Sequence, residues 1–130
     1  MKHAWFVAGT DTGVGKTRVA CGLLRALAHS GRRVAGMKPV ASGCHGGAGG
    51  LRNADAEALL ACSSLSLDYQ DINPYAFAPP TAPHLAARAA GVTIDIDTIR
   101  IHYQRLVAQV DDVVVEGVGG WRVPLGMHTS

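Results

Sequence analysis

The chain has 130 residues, which is the length of one domain or less, since domains average about 150 residues. Apolar residues make up 48% and charged residues 17%, so a packed core is available and a disordered chain is excluded. No apolar run approaches the ~18 residues of a membrane span. A net charge of +2 is too small to indicate a nucleic-acid or membrane partner.

The cysteines indicate the redox compartment. Cys21, Cys44 and Cys62 are odd in number and widely spaced, without a C-x-x-C pair. That pattern favours free thiols in a reducing compartment such as the cytoplasm over a disulfide framework or a zinc site. The histidines lack H-E-x-x-H spacing, so a histidine metal centre is not indicated.

The first predicted elements are a strand, a helix and a second strand. Residues 4–8 (AWFVA) form a short apolar run before a glycine, typical of a buried parallel strand. From Thr17 the apolar residues recur at helical spacing, and Gly31 is suited to end that helix. Residues 33–40 predict a second strand, which Pro39 ends.

The middle of the chain predicts a loop, a short helix and an irregular stretch. Residues 41–53 are dense in glycine and predict a loop at the end of the second strand, where α/β proteins place their sites. Asn53 can cap a helix over residues 54–61. The proline-rich residues 63–83 predict irregular structure.

The last predicted elements are two helices and a strand. Residues 84–90 predict a helix that Gly91 ends, and Asp97 can cap a helix with one apolar face. Residues 112–116 (DVVVE) predict a third buried strand. Alternation of apolar strands with helices implies an α/β fold, a parallel sheet with helices on both faces.

The strongest chemical motif is residues 9–17 (GTDTGVGKT), between a predicted strand and a predicted helix. Small residues let backbone N–H groups point at phosphate oxygens, and the helix N-terminus adds partial positive charge. Lys16 can reach the outer phosphates, and the Thr17 hydroxyl can ligate Mg²⁺. The first glycine of the G-x-x-x-x-G-K-[ST] pattern is replaced by Thr10, with Gly9 one position early. Because the GKT ending and its context are intact, the motif predicts the phosphate loop (P-loop) of an NTPase rather than a chance glycine turn.

Charged residues end the other two predicted strands. Glu116 could hold Mg²⁺ beside the loop, and Lys38 could stabilise charge on a transferring phosphoryl group. Each also has a plainer interpretation, as a solvated acid that closes a strand and as an exposed surface lysine. The P-loop favours the functional interpretation of Glu116, whereas spacing alone favours the surface interpretation of Lys38. Asp55 is a weaker third ligand candidate, since helix dipoles favour first-turn acids in any case.

Six segments together resemble the dethiobiotin synthetases of biotin biosynthesis: residues 9–17 (GTDTGVGKT), 38–43 (KPVASG), 51–56 (LRNADA), 73–77 (NPYAF), 80–84 (PTAPH) and 115–125 (VEGVGGWRVPL). The resemblance runs in order over residues 1–125. It implies a P-loop NTPase-like sheet and an ATP- and Mg²⁺-dependent cyclo-ligase. Such an enzyme joins 7,8-diaminopelargonate and CO₂ into dethiobiotin, releasing ADP and phosphate. A carbamate forms on one amine and is phosphorylated, and the second amine attacks the mixed anhydride.

The resemblance also implies roles for individual residues. Lys38 takes the position of the catalytic lysine, and Thr12 and Ser42 those of substrate-contacting hydroxyls. The implied Mg²⁺ ligands are Thr17, Asp55 and Glu116. The implied nucleotide-binding residues are Gly13, Val14, Gly15, Lys16, Thr17, Arg18, Asp55, Glu116, Gly117, Val118 and Gly119.

The family is markedly longer than this chain and forms homodimers. Residues 1–125 are therefore interpreted as the N-terminal portion of a single truncated P-loop α/β domain, and residues 126–130 (GMHTS) as a tail unlike the family. Two alternatives stay open. One is a catalytically inactive nucleotide-binding fragment. The other is a switch-type ATPase of the partition and septum-positioning kind, which carries a lysine five residues before the loop lysine, where this chain has Asp11.

Overall fold

A computed structural model describes residues 2–8, 15–47 and 50–117 of the chain. In chain order the elements are β1 His3–Val7, α1 Gly15–His29, β2 Val34–Met37, β3 Val40–Ala41, β4 His45–Gly47, β5 Gly50–Arg52, α2 Ala54–Ala61, α3 Tyr69–Ile72, β6 Tyr75–Ala76, α4 Pro83–Ala90, α5 Ile96–Val107 and β7 Asp112–Glu116. None of the helices in these ranges is long and apolar enough to cross a membrane.

The main sheet contains the three predicted strands, all parallel, in the order β1–β7–β2. Its register places Val7 opposite Glu116 and Met37 opposite Val115. The carboxyl ends of all three strands therefore lie at one edge of the sheet, and the residues that follow them converge there.

The core forms where helices pack on β2 and on the central strand β7. Every residue of β2 and β7 is buried. A Cβ atom at Gly36 would lie 2.8 Å from Leu59 Cβ and 3.1 Å from Leu24 Cδ1, so α1 and α2 approach β2 closely at this glycine. Helices α3 and α5 pack together and contact β2 and β7 respectively. The predicted α/β fold, a parallel sheet with helices packed around it, is confirmed.

The two outer strands of the sheet differ in how their edges are covered. The outer edge of β2 is covered by serines: Val34 N–H donates to Ser64 Oγ at 2.9 Å, and Gly36 N–H donates to Ser63 Oγ at 3.0 Å. Strand β1 is largely exposed, with Phe6 47% accessible. The expectation that β1 is a buried strand is wrong for the described residues, in which only β7 pairs with it.

Most of the predicted helix ends are confirmed. The Asn53 side chain caps α2 by accepting from Ala56 N–H at 3.0 Å, and Gly91 ends α4 with φ at 69°. The cap of α5 lies two residues earlier than predicted, because Asp95 Oδ1 accepts from Asp97 N–H at 2.9 Å.

The second strand is shorter than the predicted span of residues 33–40. Strand β2 ends at Met37, and Pro39 has no N–H to continue a ladder. The Lys38 N–H instead donates to Ile72 O at 2.7 Å. After this break the chain resumes as β3, which pairs in parallel with β6.

Two stretches predicted as loop or irregular contain short regular elements. Residues 41–53 include the antiparallel pair β4–β5, in which Gly50 has φ at 110°, a conformation that favours glycine. Residues 63–83 include α3, capped by Asp68, and β6. These elements are only two to four residues long, too short to leave periodicity in the sequence.

Candidate functional site

The centre of the site is the Glu116 carboxylate at the end of β7. Glu116 is 1% exposed. Its Oε1 accepts a hydrogen bond from Thr17 Oγ1 at 2.8 Å, and its Oε2 accepts one from Lys38 Nζ at 2.8 Å. The interpretation of Glu116 as a solvated acid is therefore wrong, and this carboxylate joins three separate elements.

Lys38 lies where β2 ends and is buried, not exposed as its spacing favoured. Its ammonium is 2.8 Å from Glu116 Oε2 and 3.8 Å from Asp55 Oδ2. A buried cation costs several kcal/mol of desolvation unless an anion and hydrogen bonds compensate for it. The two carboxylates supply that compensation, which explains how a lysine can lie inside this edge of the sheet.

The first turn of α1 supplies the other groups of the site. Thr17 is buried against Glu116, and Lys16 Nζ donates to Gly117 O at 3.4 Å. The helix N-terminus begins at Gly15, so its partial positive charge lies at the same sheet edge as the two ammonium groups. A helix N-terminus with a lysine in its first turn is suited to bind a phosphate group.

Asp55 enters the site from the first turn of α2. The Asn53 cap fixes where that helix begins, and hence where Asp55 points along it. Its side chain is 32% exposed, in contrast to the buried Glu116. Asp55 therefore offers a carboxylate that remains open to solvent or ligand.

The structure brings together most of the residues predicted for the site that it describes: Lys16, Thr17, Lys38, Asp55, Glu116 and Gly117. Arg18 is exposed on α1, and Ser42 is half-buried directly after β3. Thr12, Gly13, Val14, Val118 and Gly119 lie outside the described residues.

The oxygen donors of the site suit a Mg²⁺ ion that takes only some of its ligands from the protein. Thr17 Oγ1 and Glu116 Oε1 are 2.8 Å apart, and both are hard oxygen donors. Mg²⁺ usually takes one or two carboxylates and completes its shell with phosphate oxygens and waters. Within residues 2–8, 15–47 and 50–117, no group of three or more His, Cys, Asp or Glu side chains could hold a metal. Thr17 and Glu116 could supply two oxygen ligands to a Mg²⁺ ion whose other ligands are phosphate oxygens and waters.

Cys21 and Cys44 add no activated nucleophile to this site. All three cysteines are free thiols, as predicted. Burial and the neighbouring Cys62 raise the pKa of Cys21 to about 12, and burial also raises the pKa of Cys44. Because the thiolate is the reactive form, neither Cys21 nor Cys44 is an activated nucleophile near neutral pH.

The sequence did not point to Asn73 and Tyr69, which hold the backbone carbonyl of Lys38. Asn73 Nδ2 donates to Lys38 O at 2.8 Å, and Tyr69 Oη donates to Asn73 Oδ1 at 3.0 Å. Two signals were available in the sequence. Lys38 precedes a proline that ends the strand, so the N–H and carbonyl of Lys38 need partners outside the ladder. Asn73 also precedes a proline, a pattern typical of turns.

Comparison with known proteins places this chain in a family. A family model described as an AAA domain matches residues 3–130. Curated relatives named ATP-dependent dethiobiotin synthetase BioD include one from Nitrosospira multiformis, 52% identical over 128 residues, which are 98% of this chain and 55% of that protein. One from Pseudomonas aeruginosa strain UCBPP-PA14 is 55% identical over 125 residues, covering 94% of this chain and 54% of the relative.

These relatives confirm the resemblance to dethiobiotin synthetases that the motifs predicted. The chain spans about half the length of the curated relatives it matches, 55% for the first and 54% for the second. The family model covers nearly the whole chain, including all three strands of the main sheet and the α1 residues of the site. The chain belongs to the AAA domain family.

Proposed function

We propose that this chain provides the Mg-ATP site and the catalytic lysine of a dethiobiotin synthetase. The proposed reaction is the ATP-dependent carboxylation and ring closure of 7,8-diaminopelargonate with CO₂, giving dethiobiotin, ADP and phosphate. The observation that carries the proposal is the buried Glu116 carboxylate, which bonds Thr17 of the P-loop helix on one oxygen and Lys38 on the other. The relatives named dethiobiotin synthetase support the same reaction.

In this proposal the phosphates bind at the N-terminus of α1. Lys16 and the backbone N–H groups around Gly13, Val14 and Gly15 bind the phosphate oxygens. Thr17, Asp55 and Glu116 hold Mg²⁺, which when bound neutralises phosphate charge. Arg18 and residues 117–119 extend the nucleotide contacts.

Lys38 is proposed to act on the transferring phosphoryl group. A carbamate and a triphosphate are both anions, so bringing them together requires cations placed in advance. The ammonium of Lys38 is held by Glu116 Oε2, the carboxylate whose other oxygen faces Thr17. This shared carboxylate supports the proposal that Lys38 faces the negative charge that develops between nucleotide and carbamate. The two substrate amines are the nucleophiles, so no activated side chain is required.

The remaining proposals concern substrate contacts, oligomeric state and cellular compartment. Thr12 and Ser42 are proposed to contact the substrate, and a homodimer is proposed by analogy with the family. The free thiols of the chain agree with a reducing compartment such as the cytoplasm.

Turnover by the purified chain tests this function. The chain is incubated with diaminopelargonate, bicarbonate and Mg-ATP, and dethiobiotin and ADP are measured by mass spectrometry. Any dethiobiotin that forms should match the ADP released, and both should fall roughly 10²–10³-fold in Lys38→Ala and stay unchanged in Lys2→Ala. Binding of Mg-ATP without dethiobiotin would instead support the alternative of a nucleotide-binding chain without catalysis.

A further inference from the structure

The backbone of Lys38 is held by two consecutive residues at the end of α3. Its N–H donates to Ile72 O at 2.7 Å, and its carbonyl accepts from Asn73 Nδ2 at 2.8 Å. Because the break at Pro39 takes Lys38 out of the β2 ladder, these two bonds replace the ladder at this residue. The end of α3 thus sets where the Lys38 side chain starts.

The Asn73 amide is itself fixed by its other contacts. Asn73 is 3% exposed, and its Nδ2 also donates to Tyr75 O at 3.1 Å. Its Oδ1 accepts from Tyr69 Oη at 3.0 Å. With the oxygen bound to the hydroxyl, the amide can present only its NH₂ side to Lys38 O.

The Tyr69 hydroxyl joins this amide to the start of α2. It accepts a hydrogen bond from Asn53 N–H at 2.8 Å, and Asn53 is the cap residue of the helix that carries Asp55. The Tyr69 ring is held separately, since the Arg52 guanidinium lies 4.1 Å from its centroid. A relay therefore runs from Asn53 through Tyr69 and Asn73 to the Lys38 carbonyl.

We infer that Tyr69 and Asn73 are positioning residues that hold Lys38 in place beside Asp55 and Glu116. The relay links the two segments that carry Lys38 and Asp55, whose charged groups are 3.8 Å apart. The catalytic value of this placement rests on the proposed function, in which a shift of about 1 Å can cost about a hundredfold in rate. The placement itself does not depend on turnover.

Lysine acylation measures the placement directly. The chain has three lysines, Lys2, Lys16 and Lys38, so peptide mass spectrometry after brief acetic anhydride treatment reports each separately. Lys38 reacts slowly while its amine is buried against Glu116. In Tyr69→Phe the ring remains and only the hydroxyl is lost. The ratio of Lys38 to Lys2 labelling should rise about fivefold. That factor corresponds to the loss of one hydrogen bond of ordinary net strength.

Two further variants complete the test. Asn73→Ser, whose hydroxyl is too short to reach the Lys38 carbonyl, should raise the Lys38 ratio at least as much. Tyr103→Phe removes a hydroxyl from a half-buried tyrosine on α5, outside the relay, and should leave the ratio unchanged.

The same data contain the results that would overturn the inference. An unchanged Lys38 ratio in Tyr69→Phe and Asn73→Ser would show that the relay does not hold the side chain. A uniform rise at all three lysines, with a lower melting temperature, would show that the relay supports the fold in general. Neither readout uses dethiobiotin formation, so the inference and the proposed function can fail independently.

Discussion

At the scale of single residues, the site depends on how one buried carboxylate is shared. Glu116 bonds a hydroxyl on one oxygen and an ammonium on the other, and each partner comes from a different element. In the proposed function, the Thr17 side of the carboxylate faces Mg²⁺ and the Lys38 side faces the reacting phosphoryl group. Substitutions on the two sides should therefore have different effects.

Thr17→Val should remove the Mg²⁺-dependent part of ATP affinity, because it replaces the hydroxyl that faces Glu116 Oε1 with a methyl group. Thr17→Ser keeps the hydroxyl and is the matched control. Titration calorimetry with ATP, in Mg²⁺ and in EDTA, makes the comparison. Equal Mg²⁺ dependence in Thr17→Val and the parent chain would argue against a metal at this hydroxyl.

Lys38→Ala should reduce turnover far more than nucleotide binding. If Lys38 acts mainly on the transition state, kcat and kcat/KM should fall together, by roughly 10²–10³-fold, as for the loss of one preorganised donor. Steady-state kinetics supply both constants, and calorimetry supplies the Kd of Mg-ATP. A large rise in that Kd with kcat unchanged would assign Lys38 to ground-state nucleotide binding.

At the scale of elements, α1 and α2 approach β2 closely at Gly36. A methyl group there would meet Leu59 Cβ at 2.8 Å and Leu24 Cδ1 at 3.1 Å, both in helices that also carry site residues. The glycine therefore sets the spacing between the sheet and the α1–α2 layer.

Gly36→Ala should lower the free energy of unfolding by about 1–3 kcal/mol, the usual cost of overpacking a core. Gly22→Ala is the matched control, since Gly22 is exposed on α1 and a Cβ there would meet nothing within 4 Å. That control should raise stability by roughly 0.5–1 kcal/mol, because glycine is a poor helix former. Urea unfolding measures both, and a Gly36→Ala chain as stable as the parent would contradict the close packing.

How much of this could be predicted depends on the range of the contacts involved. Apolar runs and glycines are local signals, so the three strands, α1, α2 and α4 followed from the sequence. The bonding partners of the Lys38 backbone did not, because its N–H and carbonyl bond to Ile72 and Asn73, more than 30 residues away along the chain. Burial of Lys38 was missed for the same reason, since pairing with Glu116 requires the parallel register of β2 and β7.

At the scale of the whole molecule, the carboxyl-end and amino-end edges of the sheet carry different charge pairs. The edge opposite the site holds Asp112, whose carboxylate accepts from Arg32 Nε at 2.8 Å and from Arg32 Nη2 at 2.7 Å. The hydrogen bonds from Arg32 lower the pKa of Asp112 below 3.8, and hydrogen bonds from Arg33 lower the pKa of Asp111 to about 2. This edge should therefore govern acid stability without affecting the site.

The sign of the pH effect follows from those lowered pKa values. A carboxylate with a lower pKa in the folded chain stabilises the fold above the unfolded pKa of 3.8, and this contribution is lost as pH falls through the folded pKa. Asp112→Asn should therefore lower the melting temperature at pH 6, with the difference from the parent shrinking below pH 3.8. Asp97→Asn, at a carboxylate 79% exposed, is the control that should change little. A difference from the parent that stayed constant down to pH 2 would rule out this linkage.

The most direct test of the central claim, a Mg²⁺-dependent phosphate site at the carboxyl edge of the sheet, is the stability of the chain with ATP. A ligand at 100 times its Kd adds about 2.7 kcal/mol to the free energy of unfolding. Thermal unfolding is followed with ATP plus Mg²⁺ and with ATP plus EDTA, in the parent chain and in Lys16→Ala. We predict stabilisation of that size only in the parent chain with Mg²⁺. No stabilisation of the folded parent, or equal stabilisation of Lys16→Ala, would contradict the account.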